Sequence, residues 1–91
     1  MTIIAESIWP LVAQVVGFEN DGNLIAMHFS EIEGETENVF ELLAVLRNYA
    51  YHGDRAGAQE TAAELTIALE HLYHHMGELL PRLQTQLDIE P

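Results

Sequence analysis

The segment Ala58–Leu83, AQETAAELTIALEHLYHHMGELLPRL, carries the clearest periodicity in the chain. Its apolar side chains recur in alternating steps of four and three residues, which is typical of a heptad seam on one face of an α-helix. The seam positions are Ala58, Ala62, Leu65, Leu69, Leu72, Met76, Leu79 and Leu83. The pattern predicts a long helix over 54–87, kinked near Pro81 because the proline nitrogen has no hydrogen to donate to the Gly77 carbonyl.

A second helix is predicted over 37–52, immediately before the long one. Apolar residues between Val39 and Ala50 recur at helical spacing, and Gly53 is a typical helix terminator. Residues 31–36 (EIEGET) precede this helix and are expected to form a solvated acidic connection, because such a density of glutamates disfavours a packed core.

The first 30 residues predict strands and a turn. Leu11–Phe18 (LVAQVVGF) and Asn23–Ser30 (NLIAMHFS) are rich in β-branched and aromatic residues, and the Glu19–Gly22 segment between them has turn chemistry. A two-residue period in the returning strand would place three apolar side chains on one face: Ile25, Met27 and Phe29. Since the outgoing run is apolar on both faces, a short helix entered at Pro10 is the local alternative.

The fold class favoured by these segments is α+β in a single small acidic domain, 1–91. An N-terminal β-hairpin would pack on an antiparallel two-helix hairpin with a long second helix. An all-α helical bundle is the alternative fold. No run of about 18 uninterrupted apolar residues and no targeting signal is found, so a cytoplasmic location without a membrane span is expected.

The composition excludes several kinds of chemistry. Fifteen acidic side chains against three basic ones give a formal net charge of −12, which argues against direct binding of nucleic acid. The three bases are all arginine and cysteine is absent, so Schiff-base, lysine phosphate-loop and thiolate chemistry are excluded. Because no nucleophile motif or paired-carboxylate site is visible either, the sequence predicts a protein that is not an enzyme and has no cofactor.

One histidine-rich segment, Glu70–Glu78 (EHLYHHMGE), has the spacing of a metal site. His71 and His75 are four residues apart, and His75 and Glu78 are three apart, so the three side chains share one side of a helix. Imidazole and carboxylate groups so placed can bind zinc, nickel or iron. We favour the interpretation that they form a polar border beside the apolar seam, because one helix supplies an incomplete ligand set.

The predicted helix lengths indicate self-association. At 1.5 Å per residue the part of the long helix over 55–80 would extend about 39 Å. The helix before it, over 37–51, would extend only about 22 Å and could not cover the whole seam. We therefore expect a non-catalytic protein–protein interaction module, an adaptor, assembly factor or regulator that acts as a homodimer. The predicted interface consists of Trp9, Leu65, Leu69, Leu72, Met76, Leu79 and Leu83.

Two other functions stay open. The acidic surface of Glu31, Glu33, Glu35 and Glu37 could imitate nucleic-acid phosphates, as in an acidic decoy inhibitor of a nucleic-acid-binding protein. The His71, His75 and Glu78 group could instead make the chain a metal-binding protein. In each case the partner itself is not specified by the sequence.

Overall fold

The structure is a computed structural model that describes residues 2–18 and 21–89, with side chains from Ile8 onward. It contains three α-helices in chain order: α1 (Thr2–Val16), α2 (Gly22–Tyr51) and α3 (Arg55–Gln86). Within the described residues there is no strand, so the fold is all-α and the predicted α+β class is wrong. Of the four-residue turn expected between the strands, Glu19 and Asn20 lie outside the described residues.

The β-hairpin prediction failed because a two-residue period was assigned to a segment that has a helical one. Ile25 is fully buried whereas Met27 is 45% exposed, so these two side chains do not share a face. The inward positions of α2 instead recur in steps of three and four from Ile25 through His28 and Ile32 to Glu35. Pro10 lies inside α1 rather than at its start.

The acidic connection predicted over 31–36 is also wrong, because these residues lie within α2. Glutamate is a good helix former, and here the helix places all three carboxylates near its neighbouring helices instead of leaving them in solvent. The helix predicted over 37–52 is therefore the second half of a 30-residue helix that begins at Gly22.

A tight connection joins α2 to α3. Gly53 adopts a positive φ of 66°, a conformation that glycine takes without steric cost. Asp54 then caps α3, since its Oδ1 atom accepts a hydrogen bond of 2.9 Å from the backbone N–H of Gly57. The third helix continues through Pro81 to Gln86, so it does not end at the proline.

The three helices form a single layer. Within the described residues α2 packs against both α1 and α3, while α1 and α3 do not contact each other. The Cα trace extends over 51 × 32 × 15 Å, so the layer is much thinner than it is long or wide. None of the described helices is both long and apolar enough to cross a bilayer.

The hydrophobic core is correspondingly small. Among the residues with described side chains, the buried apolar ones are Ala13, Ile25, Ala26, Ala68 and Leu79. The radius of gyration is 16.6 Å, compared with about 12 Å for a compact domain of this length. Much of the apolar surface is therefore left outside the fold.

Candidate functional site

The face of α3 that packs on α2 agrees with the predicted seam only at alternate positions. At the others, the inward residue is the one that precedes the predicted residue. Thr61, Ala68 and Leu79 are buried, and Leu65, Leu72 and His75 are half-buried at the matching spacing. Leu65, Leu72 and Leu79 belong to both the predicted and the observed face. At the alternate positions the structure turns Ala68 and His75 inward, where the sequence pattern had placed Leu69 and Met76.

This difference leaves an apolar stripe on one flank of α3, formed by Leu69, Tyr73, Met76 and Leu80. Their exposed fractions are 46%, 79%, 50% and 57%, and steps of four, three and four keep them on one side of the helix. A shallow groove of about 640 Å³ opens beside Tyr73, Met76 and Leu80, and the rest of its lining is polar or small: His74, Gly77 and Glu78. The stripe contains no charged side chain, in a chain whose net charge is −12.

The stripe is not the only apolar surface. Helix α2 exposes Phe40 and Leu43, at 68% and 39%. Helix α1 exposes Leu11 and Val15, at 52% and 77%. All three helices of the layer thus present large apolar side chains to their surroundings.

The opposite flank of α3 is polar. Glu64, His71 and Glu78 are seven residues apart and so lie on one line along the helix. His71 is the member that contacts α2, with its Nδ1 atom 3.7 Å from Oε1 of Glu35, and its side chain is 63% exposed. An exposed polar contact of this kind contributes at most about 1 kcal/mol to stability.

A histidine pair lies between α2 and α3. The Nδ1 atoms of His28 and His75 are 3.2 Å apart, and His28 is only 5% exposed. On the other side of the His75 ring, Nε2 is 3.9 Å from Oε2 of Glu31. Burial, followed by the nearby His75 imidazole, lowers the pKa of His28 below the usual 6.5, so the ring is neutral at neutral pH.

The end of the helical hairpin is tied by an ion pair. Arg82 donates from Nη1 to Oδ2 of Asp21 at 3.0 Å, joining α3 to the residue before α2. The carboxylate of Asp21 therefore holds the two helices together and makes no side-chain capping hydrogen bond to α2. Because neither side chain is fully buried, the contact is partly screened by water.

Trp9, a predicted interface residue, makes its contacts within the chain. Its ring stacks on Phe29 with centroids 5.0 Å apart and an interplanar angle of 17°. Its Nε1–H donates a hydrogen bond of 3.0 Å to Oε1 of Glu33. These two contacts fix α1 against α2 and leave Trp9 half-buried.

The other predicted site residues are distributed as follows. Of the seam leucines, Leu79 is enclosed within the chain, Leu65, Leu72 and Leu83 are half-buried, and only Leu69 joins Met76 on the exposed stripe. The four glutamates of the predicted acidic surface do not form one row, since Glu31 and Glu35 approach α3, Glu33 approaches α1 and Glu37 is exposed.

The predicted metal ligands are not brought together. His71 contacts Glu35, whereas His75 contacts His28, a residue that the sequence pattern did not single out as a ligand. Among the residues with described side chains, no group of three or more histidine, aspartate or glutamate side chains is arranged to hold an ion.

Comparisons of the chain with protein-family models, with curated proteins and with solved structures find no match. The function is therefore argued from the geometry and chemistry of this chain.

Proposed function

We propose that this protein is a non-catalytic protein–protein interaction module that self-associates through the apolar stripe of α3. The observation that carries the proposal is the position of the stripe. Leu69, Tyr73, Met76 and Leu80 lie beside the α2 contact but outside it, and no described helix other than α2 packs on α3. Domains normally pack a second layer over an apolar face, and here a second chain would supply that layer.

The exposed area supports this proposal. The chain exposes 6729 Å², whereas a compact protein of 10.2 kDa exposes about 5,300 Å², an excess of about 1,400 Å². A standard protein–protein interface buries about 800 Å² on each partner. The excess is therefore large enough for a stable interface between two copies.

The helix lengths do not support the proposal, because α2 and α3 are nearly equal in length. The exposed stripe supports it instead. Helix α2 has 30 residues and α3 has 32, so α2 runs beside nearly the whole of α3. The inner half of the predicted seam, including Leu72 and Leu79, is covered within one chain. Of the large apolar residues in the predicted seam, Leu69 and Met76 are left exposed for a partner.

The charge distribution supports the use of this flank. Two copies that each carry a net charge of −12 repel one another, so a stable contact has to bring together surfaces without charge. The stripe satisfies this requirement, and the Glu64, His71 and Glu78 flank does not. We accordingly expect added salt to tighten self-association, because salt screens the repulsion between copies.

The same salt series separates self-association from the decoy function. A decoy inhibitor would bind a basic nucleic-acid-binding protein less tightly as salt rises. The structure offers this alternative less support, because Glu31 and Glu35 approach α3 and Glu33 bonds to Trp9 instead of lining one open face.

The test is a pair of charge substitutions on α3, followed by light scattering over a dilution series. Leu69→Glu with Met76→Glu places two carboxylates in the stripe and should raise the dissociation constant of the dimer by at least about 100-fold. Ile67→Glu is the matched control, because Ile67 is 54% exposed and lies near Glu35 and His71 on the polar flank. It should change the constant by less than about threefold.

Circular dichroism should show unchanged helix content in both proteins, because all three substituted side chains are exposed in one chain. Equal weakening by Ile67→Glu and by the stripe substitutions would contradict the proposed surface. A monomeric unsubstituted protein at all concentrations would contradict self-association itself.

A further inference from the structure

A short motif occurs once on each of the two long helices. His28 and Glu31 on α2 have the spacing His-x-x-Glu, and His75 and Glu78 on α3 repeat it. The two helices run antiparallel through the tight turn at Gly53, so each histidine faces the other helix's motif. The two imidazoles meet in the middle, and Glu31 of α2 approaches His75 of α3.

We propose that His28 and His75 form a two-nitrogen chelate for a divalent transition-metal ion such as Zn²⁺, Ni²⁺ or Cu²⁺, with water or other ligands in the remaining positions. The separation of the two Nδ1 atoms carries the proposal. It is 3.2 Å, and two nitrogens bound at about 2.05 Å to a tetrahedral ion are about 3.3 Å apart. The separation therefore matches that of two ligands of one ion, and the rings would have to turn so that both lone pairs point at it.

The environment of the pair fits such an ion. With Nδ1 bound to metal, the Nε2 atom of His75 carries a hydrogen and faces the Glu31 carboxylate at 3.9 Å. A carboxylate beyond the histidine is the usual outer partner of a metal-bound imidazole, because it fixes the tautomer and makes the ligand more basic. Imidazole nitrogens select zinc, nickel and copper over magnesium and calcium, which prefer oxygen.

The charges around His28 are of both signs. Glu78 lies close enough for its negative charge to act on His28, although Arg82 and His74 oppose it. The site differs from the ligand set predicted from α3 alone, since His28 replaces His71 and brings in α2.

Without metal, the same two nitrogens are close enough to share one hydrogen in an N–H···N bond. That bond and the chelate make different predictions. A shared hydrogen needs no ion and gives no metal-dependent signal. A chelate gives a stoichiometric metal response that depends on both rings and on no other histidine.

The test is titration of the untagged protein with ZnCl₂ at pH 7.4, measured by calorimetry. We expect one zinc ion per chain, and at least tenfold weaker binding after His28→Gln or His75→Gln. His74→Gln is the matched control, because His74 adjoins His75 in sequence and in ring contact but its side chain is exposed. It should leave the affinity within about threefold.

Two further readouts keep the test independent of folding defects. NMR of the imidazole nitrogens should identify Nδ1 of both His28 and His75 as the metal-bound atoms. If His28→Gln does not fold, His75→Gln decides, since its side chain is 20% exposed and replacement leaves a smaller defect. Zinc uptake by the unsubstituted chain no tighter than by His75→Gln, or equal loss with His74→Gln, would overturn the proposal.

This inference is independent of self-association, because both ligands belong to one chain. Zinc binding should therefore persist in the monomer produced by Leu69→Glu with Met76→Glu. Loss of zinc binding in that monomer would show that a second copy completes the site and would contradict a chelate within one chain.

Discussion

The two flanks of α3 border the same contact with α2, but one flank is apolar and the other is polar. On one flank, Leu69 and Met76 directly follow the inward Ala68 and His75 in sequence and are about half exposed. On the other, Glu64 and His71 are polar and His71 contacts Glu35. The contact within the chain thus uses small and polar side chains at alternate positions and leaves larger apolar ones outside.

This difference indicates what each flank is for. Burying an apolar side chain stabilises a protein by about 1.5–3 kcal/mol, yet the fold leaves Leu69 and Met76 without that stabilisation. A contiguous apolar patch is typical of a surface that binds another protein. The polar flank has no such patch and is suited to solvent.

The largest predicted difference between the two flanks is in the rate at which an introduced thiol reacts. The chain has no cysteine, so one introduced thiol can be followed alone. Tyr73→Cys on the stripe and His71→Cys on the polar flank replace side chains that are 79% and 63% exposed in one chain. If copies pair through the stripe, the thiol at 73 should react with a disulfide reagent at least about tenfold more slowly in concentrated than in dilute protein. The thiol at 71 should react equally in both, and protection at both positions would contradict a flank-specific contact.

A second prediction concerns the N-terminal end of α3, where Gly57 packs against Tyr49 of α2. A Cβ atom added at Gly57 would lie 2.5 Å from the Tyr49 ring, so Gly57→Ala should lower the free energy of unfolding by about 1–3 kcal/mol. Gly34→Ala adds the same methyl group in open space within α2 and should raise it by about 0.5–1 kcal/mol. Urea denaturation of the two variants measures both changes. Stabilisation by Gly57→Ala would show that Tyr49 moves aside without cost.

A third prediction concerns the buried histidine and follows from the direction of its pKa shift. Burial and His75 lower the pKa of His28, and Arg82 and His74 act in the same direction while Glu78 opposes them. The unfolded chain therefore binds a proton at this position more readily than the folded chain. In metal-free buffer, stability should be constant above the unfolded value of 6.5 and should fall as the pH drops through it. Urea denaturation between about pH 7.5 and 5.5 should show a smaller loss for His28→Gln, and an equal loss would contradict this assignment.

The smallest predicted effect is at the contact between α1 and α2. Glu33→Ala removes the acceptor of the Trp9 Nε1–H bond and should lower the free energy of unfolding by about 0.5–1.5 kcal/mol. Glu37→Ala, at an exposed position one turn further along α2, should change it by less than about 0.5 kcal/mol. Because Trp9 is the only tryptophan, its fluorescence reports the change directly. Equal effects of the two substitutions would mean that the bond contributes nothing measurable.

The sequence predicts the third helix better than it predicts which face of that helix packs inward. Helical spacing gives α3 because apolar residues recur over more than seven turns, and α3 spans Arg55–Gln86. The register of its inner face depends on α2, however, and the Leu69 and Met76 positions fit a heptad as well as Ala68 and His75 do. Only the packing against α2 decides which of the two neighbouring residues faces inward.

The N-terminal third misled because its apolar runs are short. A segment such as Leu11–Phe18 has apolar groups on all sides, which fits a covered strand or a helix equally well. The histidine pair was missed because His28 and His75 are 47 residues apart and come together only through the α2 and α3 hairpin. The repeated His-x-x-Glu spacing is the signal in the sequence from which the pair could have been predicted.

Sedimentation equilibrium of the untagged, unsubstituted protein tests the central claim most directly, since it measures mass without reference to shape. We predict a species of twice the 10.2 kDa chain mass at micromolar concentration, populated more strongly as salt is raised. A single species of 10.2 kDa across the whole concentration and salt range would contradict the account.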